Sequence, residues 1–112
     1  MVHLSQLILG NTGCVSYILL CKKKRECAIV DPFENFEEDI LEEIRELGFP
    51  SVKYVMDTHT HADRISASPY FVNEFGTVGV VKSEMTKYKG PKIKTKNGDL
   101  LKIGSVNIQV IY

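Results

Sequence analysis

The sequence predicts an α/β (α+β) domain in which a mixed β-sheet carries two helices. Short apolar segments bounded by glycine, asparagine or proline are typical of strands, whereas two segments have the periodicity and end signals of helices. These elements follow one another in the order β, β, β, α, β, α, β and a final β hairpin. The length of 112 residues predicts one domain, residues 1–112.

The composition is that of an ordinary globular protein, with 44% hydrophobic and 25% charged residues. Fourteen basic and fourteen acidic residues give no net charge, so no global field attracts nucleic acid or an acidic membrane surface. The sequence has neither an apolar stretch long enough to span a bilayer nor the features of a signal peptide. We expect a cytoplasmic protein without nucleic-acid or membrane partners.

The first three strands are predicted at residues 6–9, 14–20 and 27–30, the last two joined by a basic turn. Four consecutive basic residues in that turn indicate a solvated loop more than a phosphate-binding patch. Three cysteines, an odd number, favour a reducing compartment. Cys21 and Cys27 flank the turn, and we interpret them as buried thiols, with a redox pair across the hairpin as the alternative.

The first helix is predicted at residues 35–47, with Asn35 as its N-cap and Gly48 just beyond its end. One face of it is apolar, and this face comprises Ile40, Leu41, Ile44 and Leu47. A shorter helix is predicted at residues 69–75, where Ser68 is the expected N-cap and Gly76 the stop signal.

The C-terminal part is predicted to be mostly β-structure. Residues 77–81 form a β-like run, and Pro91 argues against a central strand in the lysine-rich stretch that follows. Asn97 and Gly98 are a hairpin signal. Two strands are expected at residues 100–103 and 106–112, joined by a turn at Gly104 and Ser105.

Two of the three histidines, His59 and His61, follow an apolar strand predicted at residues 52–56. In an extended chain both imidazoles lie on one face, because side chains alternate with a period of two. With Asp63 they supply nitrogen and oxygen donors that transition metals prefer, which predicts a metal site in a strand-to-helix loop. The alternative is a structural histidine pair, with Asp63 capping the following helix.

The segment Thr-His-Thr-His-Ala-Asp-Arg, residues 58–64, resembles the T-H-x-H-x-D-H signature of metallo-β-lactamase-fold proteins, in particular the glyoxalase II and persulfide dioxygenase branch. The flanking elements agree in order with that family. The resemblance implies the N-terminal half of an αββα sandwich, with a metal at the edge between two β-sheets.

The resemblance also implies roles for individual residues. His59 and His61 match the first two metal ligands, and Asp63 matches a residue that ligates metal or orients water and substrate in catalysis. Asp31 matches an aspartate that would hold a ligand imidazole by its outer N–H. Arg64 replaces the last histidine of the signature, and a guanidinium cannot coordinate, so we expect one divalent metal, zinc or iron. Arg64 either contacts an anionic group of the substrate or has drifted without a role.

The implied function is metal-dependent hydrolysis or dioxygenation of a small thiol-derived substrate, a glutathione thioester or a persulfide. In the family, a loop with a third histidine follows a strand like residues 106–112, so we expect residues 1–112 to be an incomplete domain that is inactive alone. The alternatives are a non-catalytic half-domain completed by a homodimer or a complementing chain, and a fragment of an amidohydrolase-type barrel, whose D-x-H-x-H matches residues 57–61.

Overall fold

The computed structural model describes residues 2–9, 14–58, 66–77, 80–83 and 92–111. Within these residues the chain forms two helices and eight strands. In chain order these are β1 (Val2–Leu9), β2 (Cys14–Cys21), β3 (Glu26–Val30), α1 (Glu37–Glu46), β4 (Ser51–Met56), α2 (Ser68–Phe75), β5 (Val80–Ser83), β6 (Lys92–Thr95), β7 (Leu100–Ile103) and β8 (Val106–Gln109). Neither of the described helices is long and apolar enough to cross a membrane.

Six strands form one mixed sheet in the order β1-β2-β3-β4-β5-β6. The pairs β1–β2 and β2–β3 are antiparallel, and the pairs from β3 to β6 are parallel. Strands β7 and β8 form a separate antiparallel pair. The predicted mixed sheet with two helices is confirmed. The alternative, a fragment of an amidohydrolase-type barrel, is wrong for the described residues. Such a barrel is built from repeated strand-helix units, whereas these strands form an open mixed sheet.

The two faces of the large sheet pack against different layers. Side chains alternate along each strand, so Cys27 and Ile29 of β3 face the helices, together with Ile40, Ile44 and Phe71. Ala28 and Val30 face the opposite side, where the β7–β8 pair contributes the buried Ile103. The result is three layers, helices on sheet on sheet, as expected for part of an αββα sandwich.

Both predicted N-caps are wrong. Helix α1 begins after Phe36, and Asn35 instead occupies a turn with φ of 75°. Helix α2 begins after Ala67, so Ser68 is its first helical residue. The hydroxyl of Ser68 does not cap the helix, because it donates a 2.6 Å hydrogen bond to Asp57. The predicted stop at Gly76 is confirmed, since this residue is left-handed and its N–H bonds to a carbonyl of the last turn.

The C-terminal prediction missed one strand. Strand β6 runs parallel to β5 directly after Pro91 and forms an edge of the sheet, where a proline at the strand start is tolerated. The hairpin predicted at Asn97 and Gly98 is also wrong, because this turn carries the chain from β6 in one sheet to β7 in the other. The hairpin expected from strands at residues 100–103 and 106–112, with its turn at Gly104 and Ser105, is confirmed as β7 and β8, although β8 ends at Gln109.

The cysteines do not form the redox pair of the alternative interpretation. Cys27 belongs to the helix-side core and Cys21 to the core on the opposite face of the sheet. Their side chains therefore point apart, and a disulfide is geometrically excluded. Burial raises the pKa of Cys27 to about 12, whereas hydrogen bonding with Ser105 lowers the pKa of Cys21 to about 7. Both are buried thiols, as the sequence indicated.

The β7–β8 turn is fixed to the β2–β3 turn by a close approach at Gly104. The N–H of Gly104 donates a 2.6 Å hydrogen bond to Glu26 Oε1, and Ser105 Oγ lies 3.5 Å from Cys21 Sγ. A Cβ on Gly104 would lie 2.5 Å from Lys24 Cβ and 2.8 Å from Cys21 Sγ. Only glycine allows this contact, which holds the second sheet against the first.

We therefore expect Gly104→Ala to lower the free energy of unfolding by about 1–3 kcal/mol more than Gly76→Ala, because overpacking adds to the backbone strain. Gly76 is the matched control, since it also has a positive φ but a Cβ added there would meet no atom within 4 Å. Urea denaturation of both variants measures the difference. Equal losses in the two variants would show that the β7–β8 turn is not held at Gly104.

Candidate functional site

Two buried aspartates stand at the same edge of the large sheet. Asp31 follows β3 and Asp57 follows β4, and these strands are parallel neighbours in which Val30 pairs with Met56. The N–H of Asp31 donates to the Met56 carbonyl at 2.8 Å, so the ladder continues to the end of both strands. The two aspartates are 7% and 8% exposed. Both therefore lie where α/β folds place ligand-binding loops.

The carboxylate of Asp31 fixes the chain immediately before the histidine pair. Its Oδ1 accepts a 2.8 Å hydrogen bond from the Thr58 N–H, and its Oδ2 accepts one of 2.6 Å from the Thr58 hydroxyl. Asp31 has a φ of 55°, a left-handed conformation that costs energy for a non-glycine residue. This two-point contact orients the backbone that leads into His59.

The carboxylate of Asp57 fixes the chain after the same segment. Its Oδ1 accepts a 2.6 Å hydrogen bond from the Ser68 hydroxyl, and the Ser66 hydroxyl lies 3.1 and 3.2 Å from its two oxygens. The Ser66 hydroxyl also accepts a 3.1 Å hydrogen bond from the Ser68 N–H. Because Ser68 is fully buried, these bonds are shielded from water and hold the start of α2 firmly.

The backbone provides further anchors for the end of the segment. Ser66 forms an antiparallel bridge with Phe33, and the Ala67 N–H donates a 2.9 Å hydrogen bond to the Pro32 carbonyl. The residues on either side of 59–65, namely Thr58, Ser66 and Ala67, are therefore held against the connection that follows β3. We call residues 59–65 the anchored segment.

The anchored segment carries the predicted site residues. His59, His61, Asp63 and Arg64 all lie outside the described residues, so their predicted roles stay predictions. The donor set fits a metal chemically, because imidazole nitrogen and carboxylate oxygen are common ligands of zinc and iron. Among the described residues, no three His, Cys, Asp or Glu side chains come together to hold a metal.

The role predicted for Asp31 also stays a prediction. Its carboxylate accepts hydrogen bonds from Thr58, and the two histidines of the anchored segment lie outside the described residues. The structure adds a role for Asp31 that the sequence did not indicate, the positioning of the residue before His59.

An open apolar cleft of about 150 Å³ adjoins Asp57 and Thr58, the residues just before the anchored segment. It lies between the two sheets, and Asp57 and Thr58 contribute its polar part. Its apolar walls come from both sheets and from the two residues after β8, and they consist of Met56, Val81, Leu101, Ile108, Val110 and Ile111. The cleft therefore offers an apolar surface beside Thr58, the residue that precedes His59 in the chain.

Three members of the site, Asp57, Ser66 and Ser68, are absent from the residues that the sequence predicts. For Asp57 one signal was present, since it follows a buried strand just as Asp31 does. The sequence predicts only a capping role for Ser68 and gives no signal for Ser66. Their contacts with Asp57 join residues about ten positions apart and depend on how the chain returns to β4.

The chain matches the family model described as the Metallo-beta-lactamase superfamily over residues 10–106. A "Beta-lactamase hydrolase-like protein" of Xylella fastidiosa is 26% identical over 91% of this chain and 30% of that protein. A "Hydroxyacylglutathione hydrolase" of Photorhabdus laumondii is 30% identical over 83% of this chain and 36% of that protein. The chain thus spans about a third of the length of these curated relatives.

The fold has counterparts among solved structures. The crystal structure of ETHE1 from Myxococcus xanthus superposes with a TM-score of 0.85 and 24% sequence identity, over 96% of this chain and 46% of that chain. This likeness confirms the fold of the chain.

The anchoring by Asp57 yields a stability prediction. We expect Asp57→Ala to cost about 1–3 kcal/mol, because it leaves the buried Ser68 hydroxyl without its carboxylate acceptor. In a double-mutant cycle with Ser68→Ala, the coupling energy should be about 0.5–3 kcal/mol. Chemical denaturation of the four proteins measures it.

Asp99→Ala is the control for this cycle, because Asp99 accepts an exposed 2.9 Å hydrogen bond from the Lys96 N–H. Its loss should cost about 1 kcal/mol or less. Additive effects of Asp57→Ala and Ser68→Ala would contradict the anchoring role.

Proposed function

Because the chain belongs to the metallo-beta-lactamase superfamily, we propose that its anchored segment carries the metal ligands of a hydrolase or dioxygenase that acts on a small thiol-derived substrate. The observation that supports the proposal is that buried carboxylates hold the residues on both sides of the anchored segment. Asp31 holds Thr58 on one side of the segment, and Asp57 holds Ser66 and Ser68 on the other. A loop that must present metal ligands at a fixed place needs such restraint at both ends.

In this proposal His59, His61 and Asp63 hold one divalent metal, zinc or iron. The superfamily binds metals of this kind. When bound, the metal would polarise a carbonyl and lower the pKa of a water, or, as iron, supply redox chemistry with dioxygen. Asp63 has a second role as the residue that orients water and substrate. Arg64 cannot coordinate, which favours a single metal over a pair.

The described residues would support this chemistry by positioning. Asp31 and Asp57 are buried at adjacent strand ends and keep Thr58 and Ser66 in place, so the ligands between them would need little reorganisation on binding metal. The apolar walls of the cleft lie beside Thr58 and would accommodate the apolar part of a substrate. Arg64, a permanent cation, would bind an anionic substrate group such as a carboxylate.

A glutathione thioester or a persulfide is the proposed substrate class. The supporting observations are the resemblance of residues 58–64 to the glyoxalase II and persulfide dioxygenase branch, and the 30% identity to a protein named as a hydroxyacylglutathione hydrolase. Both substrates are small and thiol-derived, which is the chemistry they share.

A second candidate is a non-catalytic half-domain that needs a complementing chain, a second copy or further sequence for activity. The observation that favours it is the short span of the match, about a third of the curated relatives. A catalytic metal centre usually has three protein ligands and an open position, and the third histidine of the family has no counterpart in residues 1–112.

The first test is metal content. Purified without chelators, the protein should contain close to one zinc or iron per chain by elemental analysis, and His59→Ala/His61→Ala should lose it, because both imidazoles are proposed ligands. His3→Ala is the matched control, since His3 is the third histidine and lies on β1 near Ser5.

Circular dichroism should show the same fold in all three proteins. Metal retained in the double variant, or lost equally in His3→Ala, would contradict the proposed ligands. Zinc would favour hydrolysis, and iron would favour dioxygenation.

The second test is turnover by residues 1–112 alone. If the chain needs a complement, no thioester hydrolysis and no persulfide-dependent oxygen uptake should be detected, even with bound metal. Turnover that His59→Ala abolishes would reject the half-domain candidate and support a complete catalytic site. Turnover unaffected by His59→Ala would point to a contaminating enzyme and would leave the inactivity prediction standing.

A further inference from the structure

Strand β1 forms an edge of the six-stranded sheet. It pairs with β2 over eight residues, from Val2 opposite Cys21 to Leu9 opposite Cys14, without a shift in register. Its sequence, VHLSQLIL, contains no aspartate, glutamate, lysine, arginine or proline. An edge of this length, without charge or bulge, is a template for pairing with another strand.

The opposite edge of the same sheet is different. Strand β6 has four residues, two of which are lysines, and Pro91 precedes it. Short length, lysine and proline are the features by which proteins block edge-to-edge pairing. Among the described strands, β1 is therefore the edge that lacks the features that block pairing.

The two faces of β1 are also unequal. His3, Ser5 and Leu7 face the helix layer, where the Ser5 hydroxyl donates a 2.8 Å hydrogen bond to Glu43 of α1. The even positions lie on the other face, and its apolar members are exposed: Val2 by 52%, Leu4 by 55% and Ile8 by 71%. An apolar stripe therefore runs along the open edge.

We propose that β1 pairs antiparallel with β1 of a second copy, so that a two-fold axis joins the two sheets into one. Two copies of the uncharged β1 can pair without repulsion between like charges. Two copies of β6 would bring their lysines together and repel each other. Directly opposite residues of an antiparallel pair share a face, so the exposed stripes of both copies become neighbours. The same patch then serves both partners, as a closed dimer requires. This dimer is independent of the proposed metal chemistry.

Sedimentation velocity tests the dimer. The wild-type chain of 12.6 kDa should sediment as a species of twice that mass, about 25 kDa, at micromolar concentration. Leu4→Lys/Ile8→Lys should return it to the mass of one chain, because the added charges of the two copies would repel each other across the axis. Both side chains are exposed, so the fold should be retained, which circular dichroism checks.

Leu100→Lys is the matched control. Leu100 lies on β7 and is 64% exposed, so it carries an equally apolar side chain away from β1 and its variant should remain a dimer. Hydrogen exchange supplies the second measurement. Amides of β1 should be protected in the wild type and in Leu100→Lys, and should exchange roughly tenfold faster or more in Leu4→Lys/Ile8→Lys.

Three results would overturn the proposal. These are a wild-type monomer at all concentrations, a folded Leu4→Lys/Ile8→Lys variant that stays dimeric, and a Leu100→Lys variant that dissociates.

Discussion

The hydrogen bonds of two buried carboxylates determine where the rest of this structure places its candidate chemistry. Asp31 and Asp57 end adjacent parallel strands, and neither donates hydrogen bonds as a carboxylate, so each must find donors close by. Asp31 takes them from Thr58, and Asp57 takes them from Ser66 and Ser68. Removing either aspartate would take away the acceptor of these hydroxyls. The two carboxylates therefore fix the backbone just before and just after residues 59–65.

The second sheet depends on a different constraint, the close approach at Gly104. Its turn meets the β2–β3 turn at distances that exclude a Cβ, and the Glu26 carboxylate accepts its N–H. With the turn fixed there, Ile103 is buried on the face of the sheet that the helices leave open. The cleft beside Thr58 lies toward the other end of this hairpin, where Val110 and Ile111 line it.

These two constraints connect fold to function. The carboxylates bring the ends of a histidine-containing segment to the edge of one sheet, and the hairpin places an apolar wall beside the same edge. Members of the metallo-beta-lactamase superfamily, to which the chain belongs, bind divalent metals such as zinc or iron. Strand β1, exposed and uncharged, is the outermost strand of the antiparallel part of the sheet, whereas the cleft lies beside β4 and β5. Pairing through β1 would therefore leave the cleft open.

The sequence by itself determined the fold class, the helix-strand order around residues 59–65 and the family, because periodicity, glycine stops and the spacing of His59, His61 and Asp63 are local signals. Local signals failed where a distant contact decides: Asn35 and Ser68 are not N-caps, and β6 forms in the lysine-rich stretch, where the sequence predicts no strand, by pairing with β5. Only the tertiary structure assigned Asp57 to the site and separated Cys21 from Cys27, since both depend on which strands become neighbours and which face each side chain takes.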